Sequence, residues 1–197
     1  MIEETLAPSS RLTANDASDT FDAIAAWLYG MASMLVGEGE DSAQLVEAAI
    51  ANADFSSSFE AGQAGIPTRK ALCEIALDVL TRRDPGNLAA PVDLQHAVSC
   101  IGDDELDAGG VSSEELQQML AGPELDRVRS WLEGLTVPMR TIFVLRAVAG
   151  FSAADTAAML ETHGGPDAAA WSAEAVRELF RQALCSLATH VLQEVSR

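Results

Sequence analysis

Apolar residues recur at steps of three and four along most of this chain, the period of an amphipathic helix. Phe21, Ile24, Ala25, Leu28, Met31, Ala32 and Leu35 form the first such stripe. It predicts a helix over residues 21–35, capped by Asp19 or Thr20 and stopped by Gly37 and Gly39. A second helix is predicted over residues 41–53, with Leu45, Ala48, Ala49 and Asn52 on one stripe. A third is predicted over residues 68–83, with Leu72, Ile75, Ala76, Val79 and Leu80 inward and Arg82-Arg83 in the last turn, where cations suit the helix dipole. Further helices are predicted over 125–135, with Val128, Trp131, Leu132 and Leu135 inward, and over 139–148, with Pro138 at its start and Gly150 at its end. Ser152 is placed to cap a helix over 153–160, and Ser172 one over 173–195. The last carries the stripe Val176, Leu179, Phe180, Ala183, Leu184, Leu187 and Val191. No window alternates with period two, so the fold class expected is all-α, in two small helical domains.

Charge sharpens that division. The chain has 197 residues, 30 acidic and 12 basic, for a formal net charge of -18. Residues 84–126 hold ten acidic residues and no basic one, among turn formers such as Pro85-Gly86-Asn87 and Gly109-Gly110, and read as an acidic linker. A short helix over 113–121, opened by Ser112 and Glu115, is predicted inside it. The expected organisation is an N-terminal extension (1–20), a helical domain (21–83), the linker (84–126) and a second helical domain (127–197). An acidic chain is a poor general ligand for nucleic acid, but residues 127–197 hold seven acids and seven bases and carry no such barrier.

The chain lacks the ~18 consecutive apolar residues of a membrane span. The acidic start Met1-Ile2-Glu3-Glu4 does not resemble a signal peptide. Three scattered cysteines, Cys73, Cys100 and Cys185, suit a reducing compartment better than a disulfide framework. A cytoplasmic protein is therefore expected. No Gly-rich phosphate loop, nucleophile elbow or paired-carboxylate motif is present, so neither an enzyme nor a cofactor is expected. Asp103, Glu105, Asp107 and Glu114 fall at calcium-loop positions, but Ala108 occupies the glycine position. His96, His163 and His190 have no zinc spacing to the cysteines, and no metal site is expected.

The stretch Leu28-Tyr29-Gly30-Met31-Ala32-Ser33-Met34-Leu35-Val36-Gly37, followed by Glu40-Asp41-Ser42-Ala43-Gln44-Leu45-Val46-Glu47, resembles region 2 of bacterial RNA polymerase sigma factors, the extracytoplasmic-function group above all. The helix from Ala71 to Arg83 resembles the promoter-opening helix that follows. Leu135-Thr136-Val137-Pro138-Met139-Arg140-Thr141-Ile142-Phe143-Val144-Leu145-Arg146, then Gly150-Phe151-Ser152, is similar to region 4, with 153–160 and 172–177 as its helix-turn-helix. The resemblance implies core RNA polymerase as a partner, docked on its β′ subunit through Asp41, Gln44, Leu45 and Glu47. It also implies an anti-sigma factor and promoter DNA as further partners, with Arg82, Arg83, Ser172, Arg177 and Arg181 as DNA-facing residues.

Several positions depart from that pattern. Cys73 and Glu74 stand where the family has an Arg-Asn pair, and a carboxylate repels a DNA strand. Residues 54–66 keep only Phe55 and Phe59 as stacking platforms. The recognition helix balances Arg177 and Arg181 with Glu174 and Glu178, and the segment 161–171 is far longer than a turn of three or four residues. Trp27, Trp131 and Trp171 read as packing anchors. The expected function is a sigma-like transcription regulator with depleted DNA contacts. The alternatives are a sigma mimic that binds polymerase or an anti-sigma factor without promoter recognition, and a generic helical interaction protein.

Overall fold

The structure is a computed structural model that describes residues 14–52, 65–90 and 125–195. Among these residues it holds seven α-helices and no strand: α1 (Ala14–Val36), α2 (Glu40–Asn52), α3 (Ile66–Arg83), α4 (Leu125–Glu133), α5 (Val137–Phe143), α6 (Ala153–His163) and α7 (Ala173–Val195). The all-α expectation holds. None of these helices is long and apolar enough to cross a membrane. The short helix expected over 113–121, the calcium-like pattern at Asp103, Glu105, Asp107 and Glu114, and Phe55 and Phe59 lie outside the described residues, as do Cys100 and His96.

Local chemistry explains most of the helix ends. Gly37 and Gly39 both take positive φ, which lets the chain leave α1 and turn at once into α2. Pro67 and Pro138 sit in the first turns of α3 and α5, where a missing N–H costs nothing. Ser152 accepts from the backbone N–H of Asp155 at 3.0 Å and donates its hydroxyl to that residue's carboxylate at 2.6 Å, so Asp155 stands at the capping-box position but takes the hydroxyl rather than the cap's backbone N–H. Ser172 Oγ accepts the Ala175 N–H at 3.1 Å, as its position before α7 predicts.

Four local expectations change. α1 begins at Ala14, so Asp19 and Thr20 lie inside it rather than at its cap. In α2 the buried stripe is Ser42, Leu45, Val46 and Ala49, and Asn52 is exposed. The polar Ser42 at the buried edge disguises that stripe in the sequence. The helix expected over 139–148 is α-helical only to Phe143, after which Val144–Val148 form a π turn closed by Ala149 N–H to Val144 O at 2.8 Å. Cys185 is disulfide-bonded, while Cys73 is a free, buried thiol. Separation along the chain does not measure distance in a helical bundle, so scattered cysteines did not imply free ones.

The hydrophobic core is continuous across both halves of the chain. Leu28, Met31 and Leu35 of α1, Leu45 of α2 and Leu72, Ala76 and Leu80 of α3 join Ile142, Phe143, Val144 and Leu145 in one cluster. α3 is the element that makes this continuity possible. It packs on α1 and α2 with one side and on α6 with another. Trp131 meets Phe143 edge-on at 4.9 Å between ring centroids, and Phe143 lies 6.2 Å from Phe180. Those rings tie α4, α5 and α7 together. The connection between α6 and α7 contains a short 3-10 turn, Ala168–Ala170. It ends in Trp171, whose buried indole N–H donates to Leu88 O at 2.8 Å, across to the turn that leaves α3.

Leu28 is fully buried where α1 meets this shared core. Leu28→Ala is expected to cost about 2–5 kcal/mol. Urea unfolding followed by tryptophan fluorescence and far-UV circular dichroism should show one coincident transition, moved to lower urea. Two transitions, only one of them moved, would contradict a shared core.

Candidate functional site

The residues with a candidate binding role fall on three elements: α2, α3 and the start of α7. On α2, Asp41, Gln44 and Glu47 are exposed, at helical steps of three. Gln44 Nε2 donates to Glu40 Oε1 at 3.1 Å, a pairing along the same helix face. Leu45, expected to join them in docking a partner, is 2% exposed and points into the core. It can hold α2 in place but offers no surface to a partner.

Asp41 also anchors a strut. The Arg83 guanidinium pairs with the Asp41 carboxylate and donates to Val36 O at 2.9 Å. One side chain from the end of α3 thereby caps the C-terminus of α1 and pins the N-terminus of α2. The last carbonyls of a helix lack partners within it, and a cation there also suits the dipole. Arg83, expected to face DNA, is occupied in this way. Arg82 Nε donates to Asp78 O at 3.2 Å on its own helix, with its side chain at the surface.

The chain's few cations are used repeatedly as internal bridges. Arg69 Nη1 donates to Ala149 O at 2.9 Å, from α3 to the end of the π turn. Burial holds the Arg69 guanidinium below its ordinary pKa, and the neighbouring Cys73 opposes that shift. Arg129 pairs with Glu38 at 2.7 Å, joining α4 to the α1–α2 turn. Arg146 Nη1 donates to Phe151 O at 2.8 Å and stacks over the Phe180 ring at 5.2 Å. Arg140 is likewise held below its usual pKa, chiefly by burial, with Glu133 opposing and Arg83 adding to the effect.

On α7, Arg181 is expected at the surface with Arg177, balanced by Glu174 and Glu178. The Arg181–Glu178 pair forms, with Nη1 2.6 Å from Oε2, but it is not a surface pair: Glu178 is only 4% exposed. Gln182 Nε2 adds a second donor to the same carboxylate at 3.2 Å. A buried carboxylate needs polar partners, and Arg181 and Gln182 supply them here. Arg177 stays at the surface, and Ser172 is committed to its cap.

Cys73 carries the largest departure from expectation. It occupies a position that the resemblance places against a DNA strand, yet it is fully buried. Burial raises its thiol pKa well above the ordinary range, with Arg69 opposing and Glu74 reinforcing the shift. The thiol is therefore protonated and inert at neutral pH. Arg69, Cys73, Leu77 and Thr81, at four-residue steps, lead along the side of α3 that turns toward the second half of the chain.

Beside that stripe, α6 runs parallel to α3. Thr81 Oγ1 donates to His163 O at 2.8 Å, and the His163 ring Nδ1 lies 2.9 Å from Asp78 Oδ1. A cavity of about 320 Å³ opens between the two helices, with Ile66, Lys70 and Glu74 on one wall and Phe151, Met159 and His163 on the other. Periodicity gave no hint of Thr81 or His163, because their contacts depend on how α6 lies on α3. Trp171 was legible as a packing anchor from its residue type.

Among the described residues no group of three His, Cys, Asp or Glu side chains is placed to hold a metal ion. No protein-family model, curated protein or solved structure matches the chain.

Because both partners of the Asp41–Arg83 pair are largely exposed, its loss should be mild. Asp41→Asn, Gln44→Ala and Glu47→Gln are each expected to change stability by less than about 1 kcal/mol, read from urea midpoints. A larger loss would mean that the α2 face is structural rather than free for a partner.

Proposed function

We propose that this chain is a sigma-factor-like transcription regulator that binds core RNA polymerase through the exposed face of α2, at the β′ subunit, with reduced contact to DNA. The observation that carries this reading is the contrast between its surfaces. Asp41, Gln44 and Glu47 stand exposed on a helix fixed from below by Leu45 and at its start by Arg83. That is a rigid polar face of the kind on which partner specificity is built. Most of the candidate DNA-facing positions have gone the other way, while Arg82 and Arg177 remain as exposed cations. Cys73 is buried, Arg83 and Arg181 are engaged within the chain, and Ser172 is a helix cap. Phosphate affinity depends on available cations, and this chain spends its own on internal bridges.

A second reading follows from the burial of Cys73. A sigma mimic, which binds polymerase or an anti-sigma factor without reading a promoter, needs the helical surfaces but no strand-facing α3. In both readings the partner is a protein and the attachment is α2.

Co-purification with core polymerase and run-off transcription separate these readings. Binding with transcripts is the expected result for the regulator, and binding without transcripts for the mimic. The surface variant Asp41→Asn/Gln44→Ala/Glu47→Gln should lose at least tenfold in affinity, about 1.4 kcal/mol, in either case. No binding to core polymerase by the folded wild-type chain would overturn the regulator, and a pulldown from the native cell that recovers neither a polymerase subunit nor an anti-sigma factor would overturn the mimic as well.

A further inference from the structure

The two helices that wall the cavity are both fixed in the core. α6 buries Ala153, Ala157, Met159 and Leu160 in the same cluster as Leu72, Ala76 and Leu80 of α3, and it also packs on α7. Arg69 to Ala149 O and Thr81 to His163 O tie α3 to the residues just before α6 and at its end. Closing the cavity of about 320 Å³ would disturb packing made elsewhere. Its walls are therefore pre-organised, which spares a ligand the cost of ordering them.

The walls divide by chemistry. Phe151 and Met159 are nearly buried and give an apolar floor, while Ile66 adds apolar surface that is 62% exposed. Lys70, Glu74, Asp155 and His163 stand around that surface. Glu74 has two loose neighbours, Lys70 Nζ at 3.7 Å and His163 Nε2 at 3.9 Å. Both lie beyond hydrogen-bond distance, so the carboxylate keeps acceptor capacity. One oxygen of Asp155 accepts the Ser152 hydroxyl, and His163 Nδ1 is turned to Asp78. With an uncharged imidazole, the walls carry two carboxylates against one ammonium, and Asp78 adds a third carboxylate beside them. Lys70 is the sole lysine of the chain. Its side chain is 56% exposed, so its ammonium can leave Glu74 for water at little cost.

We propose that the α3–α6 cavity binds a small amphiphilic cation, with an aromatic or branched apolar body on Phe151, Met159 and Ile66 and an ammonium that displaces Lys70 from Glu74. A volume of about 320 Å³ lies at the lower end of the range of small-molecule pockets. It suits one ring with a short tail and is too small for a helix or strand of a partner. The excess of carboxylates selects the sign of the ligand, and the net charge of -18 on the whole chain adds to that preference. Lys70 is then an internal competitor, which offsets the charge of Glu74 in the free chain and yields to the ligand. This site uses other residues than the α2 face and stands or falls without the docking role of α2.

The test is a nuclear magnetic resonance titration of the full chain, followed at the Met159 methyl and the His163 ring. The probes are phenethylamine, 3-phenylpropionate and 2-phenylethanol, which share a ring and a two-carbon tail and differ in the head group. Phenethylamine is expected to bind at least about fivefold more tightly than the other two. Glu74→Gln should weaken it by about three- to tenfold. Lys70→Met should tighten phenethylamine binding and leave 3-phenylpropionate no better bound, because it removes a competing cation. Ala158→Trp, at an exposed position on the cavity wall, should abolish binding by filling the space while the far-UV circular dichroism stays unchanged. Phenylpropionate bound as tightly as the amine, or an amine affinity indifferent to Glu74→Gln, would overturn the proposal. So would unmoved Met159 and His163 signals in wild type at about 10 mM amine. Tighter binding of the longer probe N-acetyl-Phe-Arg-amide would place a partner's side chains in the cavity and would overturn a free small ligand.

Discussion

One constraint organises this molecule: α3 must satisfy neighbours on two sides at once. Its Leu72, Ala76 and Leu80 complete the core with α1 and α2, and its Arg69, Thr81 and Asp78 reach α6 and the π turn. A helix used in this way has little surface left for a ligand. The burial of Cys73 follows from that placement, and so does its raised thiol pKa. The same placement makes the two halves of the chain share a core, with Trp171 and Leu88 as a further tie between them.

Scarce positive charge is the second theme. The chain has 12 basic residues against 30 acidic ones. Arg69, Arg83, Arg129, Arg146 and Arg181 each donate to a carbonyl or pair with a carboxylate inside the fold. Arginine suits that work because its planar guanidinium can serve two acceptors from different elements, as Arg83 does for Val36 and Asp41. In a strongly acidic chain these bridges also offset repulsion between neighbouring elements. Their cost is functional, because a guanidinium held by a backbone carbonyl is not available to a phosphate.

The helices themselves were legible in the sequence. Stripes at three- and four-residue steps, Ser152 and Ser172 as caps, Pro138 at a helix start and Gly37-x-Gly39 as a stop all correspond to observed features. The π turn after Phe143 was not legible, because a widened turn preserves an apolar run such as Val144-Leu145 and leaves no mark in periodicity. Leu45 was read as part of a docking face from its place in a motif, whereas its burial is decided by the packing of α2 on α1 and α3. Arg181 looked like a surface residue because its helix stripe is polar there. Its pairing with Glu178 is what the spacing predicts, whereas the burial of that carboxylate is decided by packing and leaves no mark in the spacing. The relation of α6 to α3 depends on contacts between residues some 80 positions apart, beyond the reach of any local pattern.

The central claim is that the two halves are packed together through the α3 side of the molecule in the free chain. The Trp171 indole N–H reports this directly by nuclear magnetic resonance. If the halves are joined as described, that proton is protected from exchange with water and gives a nuclear Overhauser contact to Leu88. An indole proton in rapid exchange, with no contact to Leu88, would contradict the account.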